Sequence, residues 1–522
     1  MTVKGAVSTG HPVTTAAAEE ILRDGGNAFD AIIAAHFTAC VVEPVLTSLG
    51  GGGYLLAEPA QGKSRVYDFF AQTPMNSRIN SSFDGCFNHE LVEDLDFYPI
   101  SADFGTTRQE FHIGLGAMAT PGVVKGMFLI HHQLGSLPMQ RLIEPAVRAA
   151  RLGVRVNGMQ AYIFDIVSPI YLATPEARAI YASRIDPAHT LQENELLVQP
   201  DLASTLEALA IEGDDLFYAG EIAQSIVSQC DLRGLLSMAD FLNYRVEIRD
   251  PLKVKYRDAE LLINPPPSSG GILIAFALAL LNRLEVEPPH SEKWIGKVAE
   301  VMAMTNKARV DTLDGRDTLS HLLDNNILSE YSKQVLARPF CSRGTTHLSV
   351  VDGSGNLAAM TVSNGEGCGE LADNTGVMLN NILGEEDLNP RGFFRWQPNT
   401  RMTSMMAPAI LHTPRGRAVL GSGGSNRLRT AILQVVLNLV DHGMSIEDAV
   451  MASRIHMEDG LLHLEPDACC GSEALLRQEF PTRKQWPERN LFFGGVHSVW
   501  LEGADFHAIG DRRRGGCGLV VS

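Results

Sequence analysis

The chain has 522 residues, 45% of them apolar and 20% charged, which is enough to bury a large core in roughly two to four domains or one large intertwined one. A formal net charge of −18 argues against nucleic acid as the main partner, because phosphate binding needs a basic face that releases counterions. No apolar run approaches the roughly 20 residues of a bilayer-spanning helix, and the opening MTVKGAVSTGHP lacks the apolar stretch of a secretory signal; the expected location is cytoplasmic, away from membranes.

From residue 13 to 42 apolar positions recur at helical spacing, interrupted by RDGGNAFD, where Gly25 and Gly26 end one helix and Asp30 lies early in the next. SLGGGGYLLAE then leads through four glycines (Gly50 to Gly53) into a strand, and SRVYDFFAQTP supplies a second with alternating apolar positions. Residues 120 to 250 read as a mainly helical layer. Strands return at PLKVKYRDAELLIN, where PPPSSGG stops the strand and starts the helix ILIAFALALLNRL. A further helical stretch is expected from Glu292 to Arg338. Beyond Thr345 come a hairpin, a strand TGVMLNN, a polar segment, a strand RAVLGSGGSN, the helix RLRTAILQVVLNLVDHG and a capping box from Ser445 to Asp448. Such an order suggests sheets packed face to face with helices outside.

Several motifs lead nowhere. AQGKS has Ala57 where a phosphate loop needs its first glycine and reads as a surface turn, while GLGAMA meets Pro121 at once and reads as a strand or turn. His131 and His132 lie inside a helical pattern and suit packing. The eight cysteines (Cys40, Cys86, Cys230, Cys341, Cys368, Cys469, Cys470, Cys517) form no C-x-x-C pair and read as reduced structural thiols. The single basic knot, DRRRGG at Asp511 to Gly516, reads as a solvated loop.

The hairpin is more informative. Gly353-Ser354-Gly355, closed by Asp352 and Asn356, is a credible three-residue connection, and counting outward places Thr345 opposite Ser363, with Asn364 beside it. A threonine hydroxyl becomes a useful nucleophile when a base adjoins it, and a free α-amine on the same residue is one such base. That amine exists only if the Gly344–Thr345 bond is cut, which the Thr345 hydroxyl can begin by attacking its own preceding carbonyl. Gly423 and Gly424, between a strand and a helix N-terminus, offer backbone N–H groups for an oxyanion.

Taken in order, ILRDGGNAFDA, SLGGGGY, ATPGVVKGM, NPPPSSGGI, TTHLSVVDGSGN, GVMLNN, TSMMAPAI and GSGGSNRLRTAILQVV resemble the gamma-glutamyltranspeptidase (glutathione hydrolase) family of N-terminal-nucleophile hydrolases across nearly the whole chain. The resemblance implies a four-layer αββα sandwich made as a proenzyme. Self-cleavage would yield a large subunit, 1–344, and a small catalytic one, 345–522, intertwined as one structural domain. It implies Thr345 as processing residue, with Gly344, and as nucleophile; Ser363 as a supporting hydroxyl; Gly423 and Gly424 as oxyanion glycines; Thr403 and Ser404 as contacts for a substrate carboxylate; and Asn364, with one gap, as the family's asparagine. It leaves open a homodimer of processed heterodimers.

Two departures stand out. The family strand D-F-R-E carries an arginine for the glutamyl carboxylate, where this chain has Asp68-Phe69-Phe70-Ala71; a phenyl ring cannot replace a bidentate guanidinium. The family glutamine after L-N-N is replaced by Ile382, with Glu385 or Glu386 left to hold an α-amino group. The expected activity is therefore amide hydrolysis or acyl transfer, on γ-glutamyl compounds such as glutathione or on a non-glutamyl small amide (oxamate-like or acyl). A silent proenzyme-like binding protein is the reading from another class. The mechanism requires neither metal nor organic cofactor.

Overall fold

The computed structural model describes residues 3–75, 94–103, 108–231, 233–312, 322–323, 344–389, 392–471 and 474–522. Cys86, Cys341 and most of the expected helical stretch between residues 313 and 338 lie outside the described residues.

Strands rich in Val, Leu and Ala pair into two antiparallel sheets. The first has seven strands in the order Cys517–Val521, Gly5–Thr9, Thr346–Asp352, Leu357–Ser363, Gly52–Glu58, Arg65–Phe69 and Glu247–Arg249. The second has six, in the order Asp505–Ile509, Gly495–Glu502, Arg417–Gly423, Ala409–His412, Ala259–Ile263 and Leu252–Tyr256. In both sheets, strands from before residue 344 are hydrogen-bonded to strands from after it.

Period-two alternation sorts the side chains of Thr346–Asp352. Leu348 and Val350 join the core under the helices Ala28–Val42 and Val123–Leu134, while Val351 joins the core shared with the second sheet. His347 and Ser349 are buried polar residues: His347 meets Thr361 Oγ1 at 2.8 Å and Ser349 Oγ at 2.9 Å, and Ser349 donates to Val419 O and His497 O of the second sheet. Burial holds His347 well below the ordinary histidine range, so the ring is a neutral stitch between sheets.

Helix Ala28–Val42 is buried along its whole length and starts with a capping box from Asn27 to Asp30, as Gly-Gly followed by Asn suggests. Helices Ser269–Leu281 and Asn426–Val440 cover the second sheet. The layers are helix, sheet, sheet, helix: the expected αββα sandwich. Among the described residues no helix is long and apolar enough to cross a membrane.

Local expectations fared unevenly. TGVMLNN contributes only the two-residue strand Val377–Met378, since the following Asn380 and Asn381 turn their side chains to main-chain groups. At Ser445 the side chain caps Asp448 N at 3.1 Å, while the Asp448 carboxylate takes the Ser445 hydroxyl rather than closing a reciprocal box. GLGAMA forms a single 3₁₀ turn, Leu115–Ala117. Cys40, Cys230, Cys368, Cys469, Cys470 and Cys517 are free thiols.

Candidate active site

The hairpin register is Thr346 opposite Val362, so the expected pairing of Thr345 with Ser363 is the next step outward. Its turn is tied by Asp352, whose Oδ1 accepts from Ser354 N at 2.9 Å and Asn356 N at 3.0 Å. The hairpin thereby delivers two hydroxyls to one carbonyl. Thr345 Oγ1 donates to Gly344 O at 2.7 Å, and Ser363 Oγ donates to the same oxygen at 2.8 Å. Gly344 N donates to Glu366 Oε1 at 2.8 Å. The Gly344 peptide is held at both its polar atoms, and Thr345 is almost fully buried.

Gly423 ends the strand Arg417–Gly423 of the second sheet, and a Cβ built on it would lie 2.1 Å from Thr345 O. Only glycine permits this approach. Gly424, at φ +119°, and Ser425, at φ 51°, turn the chain into helix Asn426–Val440. The strand-to-helix turn expected at these glycines is therefore present, and its first glycine abuts Thr345.

DRRRGG is not the solvated loop that its charge suggests. It forms a 3₁₀ turn with Arg513 and Arg514 buried. Arg513 pairs with Glu465 at 2.6 Å and Asp511 at 3.2 Å, and Arg454 pairs with Asp511 at 2.7 Å. Burial would raise the Asp511 carboxyl, but Arg454 and Arg513 outweigh it and hold the group at about 2. Arg514 Nη1 reaches Thr345 O at 3.4 Å, and burial followed by repulsion from Arg427 lowers its guanidinium to about 10. Nearby, burial pushes Glu43 up to about 7, although Thr346 and Thr14 donate to its carboxylate at 3.2 and 3.3 Å. Glu43, Val45, Leu46, Phe164, Leu491 and Arg514 line a cleft with about 490 Å³ of atom-free space.

The expected substrate contacts divide. Asn364 is buried beside Ser363, and neither atom of its side-chain amide has a hydrogen-bond partner among the described residues. Glu385 is buried, and its Oε1 lies 2.5 Å from where a Cβ on Gly365 would sit, which places it behind the same turn. Glu386 is exposed, and its charge acts on His112. Thr403 donates to Pro267 O at 2.9 Å and Ser404 Oγ accepts from Met406 N at 3.0 Å. The Thr403 bond, together with Ser404 O accepting from Ser269 N at 2.9 Å, anchors the pair to the PPPSSGG segment, and among the described residues neither residue bonds to Gly344 or Thr345. Phe70 is a core residue, stacked on Tyr54 at 5.7 Å.

A family model described as gamma-glutamyltranspeptidase matches residues 14–521. This chain belongs to the gamma-glutamyltranspeptidase family. It is an enzyme of the gamma-glutamyltranspeptidase type. The acylase ACY 1 proenzyme of Pseudomonas sp. (strain V22) is 29% identical over 483 residues, covering 88% of this chain and 84% of the relative. The glutathione hydrolase proenzyme of Escherichia coli (strain K12) is 29% identical over 493 residues, covering 87% and 81%. The crystal structure of cephalosporin acylase from Bacillus halodurans superposes with a TM-score of 0.84 at 22% identity, covering 99% of this chain and 96% of that one. This last likeness shows that the two chains share their backbone fold.

Two residues near this candidate site, Glu366 and Arg401, went unnoticed in the sequence, and Arg514 was placed in a solvated loop. Arg401 donates to Phe70 O, Arg245 O and the Tyr244 hydroxyl, with its guanidinium 4.7 Å from the Tyr244 ring centroid. A guanidinium thus does stand near Phe70, but main-chain carbonyls occupy it. The only hint in the sequence was its place two residues before Thr403.

Proposed function

We propose that the chain cleaves itself between Gly344 and Thr345 and then works as an N-terminal threonine amidohydrolase and acyltransferase on small amides. The observation that carries this reading is the Gly344 carbonyl gripped by the hydroxyls of Thr345 and Ser363. Attack by Thr345 Oγ on that carbonyl, with Ser363 donating to the developing oxyanion, would convert amide to ester, and water would release residues 1–344 from 345–522. Thr345 then keeps a free α-amine as its own base. The Gly423 and Gly424 N–H groups are assigned to the oxyanion of a bound donor, and the acyl group passes to water or an amine. Because both fragments contribute strands to both sheets, they stay associated.

The donor reading favoured here is a non-glutamyl amide. Phe70 and Ile382, standing where the resemblance calls for arginine and glutamine, both pack into one apolar cluster. A γ-glutamyl donor such as glutathione is the second reading, supported by Glu385 buried behind the Ser363 turn. Intact-mass measurement on the denatured protein tests the processing: two fragments meeting at Gly344 and Thr345 are expected, and a single full-length mass would refute it. Release rates from γ-glutamyl, oxamate-like and simple acyl amides then separate the donors.

A further inference from the structure

The buried turn after Asp511 holds two consecutive arginines in different states. Arg513 is paired, with Glu465 at 2.6 Å and Asp511 at 3.2 Å. Arg514 is also buried, yet among the described residues no carboxylate pairs with it and its Nε has no hydrogen-bond partner; Asp511 and Glu43 act on it only through space. Its Nη1 donates to Thr345 O at 3.4 Å, and a Cβ on Gly423 or Gly424 would lie 3.1 Å from Nη1 or 3.0 Å from Nη2. The guanidinium is therefore wedged between the Thr345 main chain and the turn of Gly423 and Gly424. A buried cation without a paired carboxylate is costly to keep, and such charges gather where chemistry uses them.

What this cation can serve follows from the proposed function, on which this inference rests. Self-cleavage leaves Thr345 with a free α-amine. In turnover, the hydroxyl proton passes to that amine as Oγ bonds to the donor carbonyl carbon, and the amine hands the proton to the leaving nitrogen as the C–N bond breaks. Water then cleaves the ester: its oxygen bonds to the acyl carbon, one of its protons passes through the amine to Oγ, and the acid is released. Only a neutral amine can begin either step, and an ordinary α-amine, at about 7.7–8.0, is mostly protonated at pH 7. The nitrogen and carbonyl oxygen of one residue are at most about 3.6 Å apart, so the 3.4 Å contact puts Nη1 within about 7 Å of the amine. Two positive charges at that distance disfavour the protonated amine by about 10- to 50-fold at an effective dielectric constant of about 20.

We propose that Arg514 is a positioning residue that works through Thr345, its fixed positive charge keeping the α-amine freed by self-cleavage in the neutral form that accepts the hydroxyl proton. Burial and then Arg427 lower the guanidinium to about 10, so it stays charged at neutral pH. Glu43 faces it and opposes its effect once ionised above about 7. His11, in the same cleft, and His497, accepting from Asp511 N, are held neutral by burial at about 4. Glu366, 2.8 Å from Gly344 N, and Glu385, behind Gly365, are common to every variant below, and their charge cancels in the comparison.

Competitive acetylation of the processed enzyme with acetic anhydride between about pH 5 and 9, read on the N-terminal peptide of the small fragment, gives the titration midpoint of the Thr345 amine and needs no donor. In Arg514→Gln the midpoint should rise by about 1 pH unit, and in Arg514→Lys, which keeps the charge, it should stay within about 0.5 of wild type. Glu43→Gln, which removes the opposing carboxylate, should move it down by about 0.5. A substitution that merely loosened the turn would change the rate of acetylation at every pH alike and leave the midpoint in place. Equal midpoints in wild type and Arg514→Gln, an Arg514→Lys midpoint as high as that of Arg514→Gln, or no fall in Glu43→Gln would each overturn the assignment. If Arg514→Gln stays full-length, Arg514→Lys and Glu43→Gln decide alone. A wild-type chain that stays full-length has no such amine and overturns the underlying reading as well, whereas two fragments with unmoved midpoints overturn only the role of Arg514.

Discussion

Around Gly344, side chains hold the peptide on both sides: Thr345 and Ser363 on the carbonyl, Glu366 on the N–H. Around Phe70 side chains also hold the main chain, Asp68 Oδ1 accepting from Phe70 N at 3.2 Å and Arg401 and Tyr244 donating to Phe70 O, but the ring itself packs on Tyr54 in the apolar core. Both places are buried, yet of the two only Gly344 has a carbonyl reached by two aliphatic hydroxyls. The contrast sets a carbonyl approached by two hydroxyls against an aromatic ring packed in the core, so register and packing can change independently. The hydroxyl pair is imposed by strand register, whereas Phe70, where the resemblance calls for arginine, packs into the core.

Thr345→Ala breaks the comparison most severely. Without the hydroxyl no ester can form, so the variant should remain one chain of full-length mass with no turnover of any amide. A processed, active variant would remove the nucleophile from Thr345 altogether. On the other side, Phe70→Arg asks whether the arginine of the family strand can be restored. It places a second guanidinium beside buried Arg401 with its carbonyl partners already in use, and should lower stability by about 3–5 kcal/mol, read as the shift of the urea midpoint. An equally stable variant that gains γ-glutamyl turnover would mean that the Phe70 corner opens on the acyl site.

Ser363→Ala sharpens the polar side. Its hydroxyl is the donor that can follow charge developing on Gly344 O, so self-cleavage should slow by about 100-fold, measured as the decay of full-length chain after synthesis. Ser363→Thr keeps the hydroxyl and should recover most of the rate. Equal rates in Ser363→Ala and wild type would leave the 2.8 Å contact with no part in processing.

How far the site could be read in advance follows from the same physics. Thr345 opposite Ser363 was legible because a short turn and period-two pairing fix a hairpin register locally. Phe70 and Ile382 were legible only as departures from a pattern, and their packing into one cluster had to be seen. Glu366 was hidden because it lies past the strand end, where Gly365 at φ +67° turns the chain back toward Gly344. Arg514 was misread because a run of three arginines normally faces water. Buried, it faces the carboxylates of Asp511 in its own turn and of Glu43 far along the chain, and no local pattern announces the second.

The smallest expected effect lies beside Thr346, at Glu43. Burial raises this carboxyl from its usual 4.5 to about 7 in the folded chain, against the lowering influence of Thr346, Thr14 and Arg514. The folded state therefore binds the proton more tightly than the unfolded state does, and the stability it confers is complete below about pH 4.5 and lost as pH rises through about 7. Wild type should lose of order 2 kcal/mol through this group between pH 5 and 8, while Glu43→Gln, neutral throughout, with its amide oxygen accepting from one threonine and its NH2 donating to the other, should not. Urea midpoints of the two proteins at both pH values test this. Parallel curves would mean that Arg514 keeps Glu43 ionised, and the polar floor beneath Thr346 would then be an ion pair instead of a titrating acid.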